Sequence, residues 1–202
     1  MTDKKSPKKV NKNILYTGFG DNGTTTLFHC DQGRISKSAS IIEALGSLDE
    51  LNAYLGVVKV YSEIEQLKIS IDKKMISYGE IIGDIQQTLF VIQAEVAGSK
   101  MSTTKENIKD VERVIGAISI VLPPITSFTI SGGSLLSAEL DFSRTLARRA
   151  ERRIVQVEFE KIKILNPYTI TYMNRLSSIL FAMSRYANYL LSIPEDHPNY
   201  NK

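Results

Sequence analysis

Apolar residues recur at helical spacing over most of the chain from Ser40 onward. Apolar positions three and four residues apart form one face of a helix. Pro123-Pro124 ends the third such pattern, and Asn166-Pro167 begins the last one. The predicted helices cover approximately residues 40–61, 64–97, 105–120, 140–157 and 166–191. Because the links between them are short, the pattern predicts an all-α fold, an antiparallel bundle of four to five long helices.

The fourth predicted helix carries charged residues directly beside its apolar face. The predicted core face consists of Leu140, Ala147, Ala150, Ile154 and Val157. Arg144, Arg148 and Glu151 lie on the margin of that face, whereas Arg149 and Arg153 point away from it. Unpaired ions at a buried margin cost several kcal/mol, so these three charges need partners.

Two interpretations of the marginal charges are open. They form either a ladder of pairs along the helix or part of an anion site. The preceding segment Ser131–Ser134 reads SGGS and combines flexible glycines with hydroxyls that can cap a helix. A ligand can approach beside such a loop, and guanidinium groups match the oxygens of phosphate. A phosphate compound is therefore the candidate ligand.

The segment from Asn13 to Lys37 lacks a helical pattern and is predicted to be a loop that includes a hairpin. Its residues Gly18–Gly23 read GFGDNG, which has the spacing GxGxxG. The threonines that follow favour a strand, whereas a dinucleotide-binding motif requires a helix there. Kinase and P-loop signatures are also missing. Two interpretations stay open: a plain glycine turn, or a loop whose N–H groups, with the Thr24 and Thr25 hydroxyls, hold phosphate.

Two polar residues on other predicted helices interrupt apolar surfaces. Asp49 falls at the edge of the first apolar stripe, as Arg144 does on its own helix. Asn174, followed by Arg175, interrupts the apolar surface of the last helix. A buried amide must find hydrogen-bond partners, so Asn174 is either a tie between helices or a ligand contact.

Length and composition favour a single domain. The chain has 202 residues, of which 43% are hydrophobic, enough for one sizeable core. We expect residues 1–12 to be a disordered basic tail, residues 13–192 the helical-bundle domain, and residues 193–202 a polar C-terminal tail. The formal net charge is only +3, and lysines of the first tail supply much of the excess. A solvated end is favoured over nucleic-acid or membrane binding.

Residue counts disfavour several classes of protein. The sequence has no run of 18 apolar residues and no signal-peptide pattern, so a cytoplasmic location is expected. Cys30 is the only cysteine, and His29 and His197 are the only histidines. Neither HExxH, CxxC nor a cluster with zinc spacing is present, so a transition metal held by the protein is not expected.

Seven segments, taken together and in order, resemble the PduO-type ATP:cob(I)alamin adenosyltransferases, a family of corrinoid adenosyltransferases. They read TGFGDNGTTTLF (17–28), RISK (34–37), EALGSLDELNAYLG (43–56), IQQTLFVIQAEVA (85–97), FTISGG (128–133), RTLARRAERRIV (144–155) and NRLSSILFAMSRYAN (174–188). The resemblance implies a five-helix, ferritin-like bundle that forms homotrimers, with ATP and corrinoid bound near the subunit interfaces.

The implied reaction transfers the 5′-deoxyadenosyl group of ATP to the cobalt of cob(I)alamin and gives adenosylcobalamin and triphosphate. ATP and cobalamin would be substrates, with Mg²⁺ bound through ATP phosphates rather than by protein side chains. Cob(I)alamin is itself a strong nucleophile, so the protein would supply positioning and electrostatic stabilisation instead of a base. A cob(II)alamin reductase and an adenosylcobalamin-dependent enzyme are candidate partners.

The resemblance also implies roles for single residues. Arg148 would contact the triphosphate, and Glu151 and Asn174 would fix the nucleotide. Arg144 would pair with Asp49, and these two residues, with Arg148 and Glu151, form the expected catalytic set. The phosphates would be held by Thr17, Gly18, Gly20, Gly23, Thr24, Thr25 and Lys37.

Phe128 matches an aromatic residue that in this family lies beside the lower face of the corrinoid. An apolar ring there would exclude the lower nitrogen ligand and leave cob(II)alamin four-coordinate, which eases its reduction. An ordinary core phenylalanine is the alternative.

The glycine-rich segment departs from the family pattern, which is close to YTRTGDxGTT. Gly18 and Phe19 stand in place of Arg-Thr, and Asn22 occupies a variable position where relatives often have lysine. One cationic phosphate contact is therefore missing, and we expect weaker ATP binding rather than loss of activity.

Two other functions compete with the enzyme. A non-catalytic corrinoid carrier or chaperone would keep the bundle and deliver adenosylcobalamin to a B12-dependent enzyme. It would need no triphosphate site, so the joint presence of Arg144, Arg148, Glu151 and Asn174 favours catalysis. A kinase is disfavoured because phosphotransfer motifs are missing.

Overall fold

The computed structural model describes residues 15–27 and 33–200, and within these ranges the chain forms five α-helices and two small antiparallel hairpins. The elements are β1 (Thr24–Thr25), β2 (Ile35–Ser36), α1 (Ser40–Glu65), β3 (Lys68–Ile71), β4 (Lys74–Ser77), α2 (Tyr78–Val96), α3 (Lys105–Val121), α4 (Leu135–Phe159) and α5 (Pro167–Leu190). The predicted helical bundle is thus confirmed. The hairpin expected before Ser40 is also present, as β1 and β2.

The helix predicted over residues 64–97 is wrong in its first part. Helix α1 continues to Glu65 and ends where Gln66 adopts a left-handed conformation. A hairpin of β3 and β4 follows, with Asp72 and Lys73 at its turn, both at positive φ. Two successive residues of this kind are typical of a two-residue type I′ turn. Alternate residues of β3 are buried, Ile69 and Ile71, as expected for a strand with one face on the core.

Side-chain caps fix where the other helices begin. Ser77 and Glu80 form a reciprocal capping box at α2, and Thr104 and Asn107 form one at α3. At α5 the side chain of Asn166 accepts a hydrogen bond from the Tyr168 N–H, and proline stands in the first turn. These caps satisfy backbone N–H groups that the first turn of a helix leaves without partners.

Helix α4 lies at the centre of the bundle and packs most extensively against α5 and α1. All five residues of its predicted core face are fully buried. The predicted marginal position holds for Arg144 and Glu151, which are half-buried, but Arg148 is exposed. The margin therefore presents one free guanidinium to the surface rather than three buried charges.

A buried carboxylate ties α2 to the start of α5. Glu95 is only 5% exposed, and its Oε1 accepts a hydrogen bond of 2.7 Å from the Asn166 N–H. Its Oε2 accepts one of 2.6 Å from Thr169 Oγ1, which also contacts Thr103 Oγ1 at 2.6 Å. These bonds satisfy polar groups that would otherwise be buried without partners.

The C-terminal segment is polar, as predicted, but its described part is anchored rather than free. Glu195 pairs with Arg185 of α5, and the Asp196 carbonyl accepts a hydrogen bond of 2.8 Å from the Ile130 N–H. Residues 127–130 form no strand; they belong to a loop held by this tail. The basic tail of residues 1–12 and the residues His29 and Cys30 lie outside the described residues. None of the helices in the described part of the chain has the length and hydropathy to cross a bilayer.

Candidate functional site

Three residues predicted to bind nucleotide line one cavity between α4 and α5. Arg148 and Glu151 come from α4, and Asn174 comes from the first turns of α5. Arg152 and Val155 complete the wall of this open cavity, which has a volume of about 330 Å³. The structure thus brings together residues that are more than twenty positions apart in the sequence.

Asn174 joins the two helices while remaining exposed to the cavity. Its Nδ2 donates a hydrogen bond of 3.1 Å to Glu151 Oε1, and its Oδ1 accepts one of 3.0 Å from Arg175. Arg175 Nε in turn donates to Glu112 Oε1 of α3 at 2.9 Å. This series of bonds fixes the orientation of the amide, because the guanidinium can only donate. Asn174 is therefore a tie between helices that also lines the cavity.

Arg148 makes no hydrogen bond or ion pair within residues 15–27 and 33–200. Arg152, beside it on the cavity wall, has none there either. By contrast, Arg149 pairs with Glu50 of α1, and Arg153 donates to Gln156 one turn further along α4. The two unpaired guanidinium groups make this cavity suited to a polyanion.

A second cavity of about 380 Å³ adjoins the first, and Arg148 lines both. Phe128 contributes to its wall together with Arg144 and Phe181. The Phe128 side chain is 77% exposed, so it is not a core phenylalanine. Arg148 thus lies between the cavity lined by Glu151 and the cavity lined by Phe128 and Phe181.

The expected pairing of Arg144 with Asp49 is not formed within one chain. Arg144 Nε instead donates to Asp141 Oδ1 at 3.0 Å, one turn earlier on α4. Asp49 lies exposed on α1 and has no ion pair or hydrogen bond among the described residues. Its neighbour Glu50 makes the contact between α1 and α4.

Phe181 is a site residue that the sequence reasoning did not single out. The Arg144 guanidinium carbon lies 5.9 Å from the centre of its ring, and that of Arg185 lies 6.0 Å away. Two cations near one aromatic face form cation–π contacts that hold both side chains. The available signal was its position on α5, seven residues and so about two turns after Asn174.

The SGG loop is shaped by Asn188 of α5. Asn188 Oδ1 accepts a hydrogen bond of 2.9 Å from the Ser134 N–H, and its Nδ2 donates one of 2.9 Å to the Gly132 carbonyl. Gly133 has φ +94°, and a β-carbon there would lie 2.5 Å from the Asn188 amide. Only glycine adopts this positive φ easily and lacks the β-carbon that would clash with Asn188. This fixed loop sets the path of the chain from Phe128 into α4.

The glycine–threonine loop has its own turn structure. Gly23 N–H bonds to the Gly20 carbonyl at 3.1 Å, and Lys37 N–H bonds to the Gly23 carbonyl at 2.9 Å. Gly18 and Gly23 have positive φ. A β-carbon at Gly20 would lie 2.9 Å from Lys37 Nζ, so the ammonium group sits against the loop backbone. Lys37 and Thr24 thus both lie close to Gly20, whereas the Thr17 hydroxyl accepts a hydrogen bond of 3.4 Å from the Phe19 N–H.

Arg34 is a second residue whose role the sequence reasoning missed. Its Nε donates to Thr24 Oγ1 at 2.6 Å, and its terminal nitrogen donates to the carbonyls of Thr24 and Phe19. Asn22 Oδ1 accepts hydrogen bonds from the Thr24 N–H and Oγ1. The Asn22 side chain therefore stabilises the turn.

The loop and the two cavities are separate within one chain. Between the described residues 15–27 and helices α4 and α5, no hydrogen bond or ion pair is formed. In the described ranges, no three His, Cys, Asp or Glu side chains cluster closely enough to hold a metal ion. The described part of the chain therefore presents two separate features: the loop with Lys37, and the cavity with Arg148 and Arg152 next to the cavity with Phe128 and Phe181.

Comparisons with known proteins identify the family of this chain. The sequence profile of the family described as cobalamin adenosyltransferase matches residues 15–187. The chain is 35% identical over 178 residues to the corrinoid adenosyltransferase PduO of Citrobacter freundii, covering 85% of this chain and 49% of that protein. It thus spans about half the length of that relative. A second corrinoid adenosyltransferase of Citrobacter freundii is 34% identical, with 85% and 93% of the two chains covered.

Solved structures of PduO-type adenosyltransferases are also similar to this chain. A variant of the PduO-type ATP:corrinoid adenosyltransferase of Lactobacillus reuteri, complexed with cobalamin and ATP, matches with a TM-score of 0.79 at 28% identity, over 94% of this chain and 98% of that one. Another variant of that enzyme, complexed with ATP, has a TM-score of 0.77 at 28% identity, over 92% and 100% of the two chains. The chain therefore belongs to the cobalamin adenosyltransferase family.

Proposed function

We propose that this chain transfers the 5′-deoxyadenosyl group of ATP to the cobalt of cob(I)alamin and releases triphosphate. The observation that carries the proposal is the position of Arg148. It has no partner in the described part of the chain and lines both the cavity with Glu151 and Asn174 and the cavity with Phe128. A displacement reaction between two bound substrates needs such adjoining sites, with a cation near the leaving group. The relatives are named as corrinoid adenosyltransferases, and one matching structure is described as holding cobalamin and ATP.

The chemistry requires no protein nucleophile. The cobalt electron pair forms the bond to C5′ of ATP, the C5′–O bond breaks, and triphosphate leaves with the bonding electrons. Negative charge increases on the departing oxygen, so nearby guanidinium groups lower the barrier. Holding cobalt, carbon and oxygen in line supplies the rest of the acceleration.

Arg148, with Arg152 beside it, provides positive charge at the cavity wall without having to break an existing ion pair. The Asn174 amide and the Glu151 carboxylate are already oriented towards each other. They offer both donor and acceptor groups for the adenosine part. In this arrangement Arg148 contacts the triphosphate, while Glu151 and Asn174 fix the nucleoside.

We also propose that the complete site forms between protomers of a homotrimer. The phosphate-binding loop and the cavities do not contact each other through hydrogen bonds or ion pairs within the described part of one chain. A loop from one protomer, with Lys37 and the residues Thr17–Thr25, then covers the triphosphate in the cavity of its neighbour. The exposed Asp49 would meet Arg144 across the same contact, in exchange for the pair with Asp141.

Phe128 would lie against the lower face of the corrinoid. Its ring is mostly exposed in the single chain and faces a cavity that also contains Phe181. An apolar ring at this place excludes a nitrogen ligand and favours four-coordinate cob(II)alamin, the form that is more easily reduced.

Mg²⁺ would enter as part of the ATP substrate, bridging its phosphate oxygens. A cob(II)alamin reductase and an adenosylcobalamin-dependent enzyme remain the proposed partners. The cytoplasmic location, the disordered state of residues 1–12 and the boundaries of the domain at 13 and 192 stay predictions.

Anaerobic incubation with ATP and cob(I)alamin tests the proposal. We expect adenosylcobalamin and triphosphate in equal amounts, detected by absorbance and by phosphorus NMR. Tight corrinoid binding without turnover would favour the alternative, a non-catalytic carrier that delivers adenosylcobalamin. Release of ADP would instead indicate a kinase.

A further inference from the structure

The C-terminal segment is attached to the loop that carries Phe128. His197 Nδ1 lies 2.9 Å from the Phe128 carbonyl oxygen and 3.0 Å from Ser127 Oγ. The carbonyl can only accept, so Nδ1 must carry the proton that makes this bond. His197 thus holds the backbone of the very residue whose ring lines the second cavity.

Two further contacts secure the same attachment. The Ile130 N–H donates to the Asp196 carbonyl at 2.8 Å, which fixes the loop on the other side of Phe128. Glu195 pairs with Arg185, which is only 8% exposed and therefore offers a rigid anchor on α5. Arg185 also donates to the Pro123 carbonyl at 3.3 Å, at the start of the loop.

The Phe128 loop has few other supports. Phe128 is 77% exposed and Ile130 is 55% exposed, so neither side chain buries much area that could fix the loop by packing. Residues 127–130 form no strand. The position of the ring therefore depends on backbone hydrogen bonds, and those bonds come from residues 196 and 197.

We propose that His197 is a positioning residue for the corrinoid half of the site: through Nδ1 it holds the Phe128 carbonyl and so presents the Phe128 ring to the lower face of the corrinoid. His197 itself does not touch the reacting atoms. The proposal rests on the proposed function for its ligand, but the attachment of the loop can be measured without it.

Two amide substitutions at His197 distinguish the loss of its bond to the Phe128 carbonyl from a general loss of stability. In His197→Asn the side-chain amide nitrogen takes the place of Nδ1 and can still donate to the Phe128 carbonyl. In His197→Gln the amide lies where Nε2 was, and this bond is lost. Amide hydrogen exchange of residues 127–133 reports on the loop alone. We expect faster exchange in His197→Gln, and wild-type exchange in His197→Asn.

Steady-state kinetics then test whether the position of this loop affects corrinoid binding. In His197→Gln the KM for cob(I)alamin should rise roughly 3- to 10-fold, the effect of one net hydrogen bond. The KM for ATP and the melting temperature should stay at wild-type values, and the four-coordinate fraction of bound cob(II)alamin should fall. His197→Asn should restore all of these properties.

Unchanged loop exchange in His197→Gln would overturn the proposal, as would equal impairment of the Asn and Gln variants. A parallel rise of the KM for ATP would also overturn it, because it would indicate general destabilisation. If wild-type protein forms no adenosylcobalamin, the proposed function fails, and the exchange experiment still decides whether His197 holds the loop.

Discussion

Asn174 Nδ2 donates a hydrogen bond of 3.1 Å to Glu151 Oε1 and so joins α5 to α4 at the cavity wall. Asn174→Asp replaces this donor with a carboxylate that faces another carboxylate. The like charges repel each other and any phosphate nearby, so we expect the KM for ATP to rise about 10-fold or more. Asn107→Asp is the matched control, since Asn107 acts as an acceptor at the start of α3. Equal KM values in both variants would exclude Asn174 from the nucleotide site.

Arg148 is expected to stabilise the departing triphosphate. Arg148→Ala should lower kcat by on the order of 10²-fold or more, because it removes a charge that acts mainly in the transition state. The control is Arg153→Ala on the same helix, which loses only the contact with Gln156. Steady-state turnover of both variants checks the prediction. Arg148→Ala with the kcat of the control would remove this residue from catalysis.

Glu95 should contribute to the stability of the fold and not to the binding of ATP or corrinoid. Glu95→Ala leaves the Asn166 N–H and the Thr169 hydroxyl without their acceptor in a buried place. We expect a loss of about 2–4 kcal/mol in the free energy of unfolding. Glu106→Ala is the control, because its side chain is 70% exposed and its pair with Lys109 contributes little. Urea denaturation compares the two; similar losses would contradict the structural role of Glu95.

A glycine in the turn between β3 and β4 should stabilise the protein. Lys73 has φ +64°, a conformation that glycine adopts more easily. Lys73→Gly should therefore raise the free energy of unfolding by about 0.5–1 kcal/mol. Lys74→Gly, one residue later and within β4, should lower it, because glycine weakens a strand. Destabilisation by both changes would show that the turn is not of type I′.

Tyr54 should make the free energy of unfolding fall at alkaline pH. Partial burial, a hydrogen bond to Glu139 and the charge of that carboxylate raise its pKa from 10.0 to about 12. The folded state binds this proton more tightly, so the stabilisation is complete below pH 10 and is lost as the pH rises towards 12. Wild type should lose more unfolding free energy over this range than Tyr54→Phe. Equal slopes would show that Tyr54 titrates normally.

The helical part of the fold was predictable because its signals are periodic and long. The core face of α4 consists of residues spaced along several turns, and prolines mark two helix boundaries, Pro123-Pro124 after α3 and Pro167 at the start of α5. The hairpin of β3 and β4 was missed because its strands are only four residues each. Alternation of Ile69 and Ile71 before Asp72-Lys73 was the signal, but an apolar run of that length also fits a helix.

The sequence identified several residues of the candidate site but not their hydrogen-bond partners. Motif resemblance identified Arg148, Glu151 and Asn174, and the structure places them on one cavity. The roles of Arg34 and His197 depend on contacts with residues 10 and 69 positions away. Hydrogen bonds over such distances have no periodic signal, so they emerge only once the chain is folded.

The structure of the assembled protein with bound ATP tests the central claim most directly. We expect the Arg148 guanidinium within about 3 Å of a triphosphate oxygen, with Lys37 of an adjacent protomer on the same polyanion. A complex in which both cations lie beyond hydrogen-bond reach of every phosphate, in all protomer contacts, would contradict it.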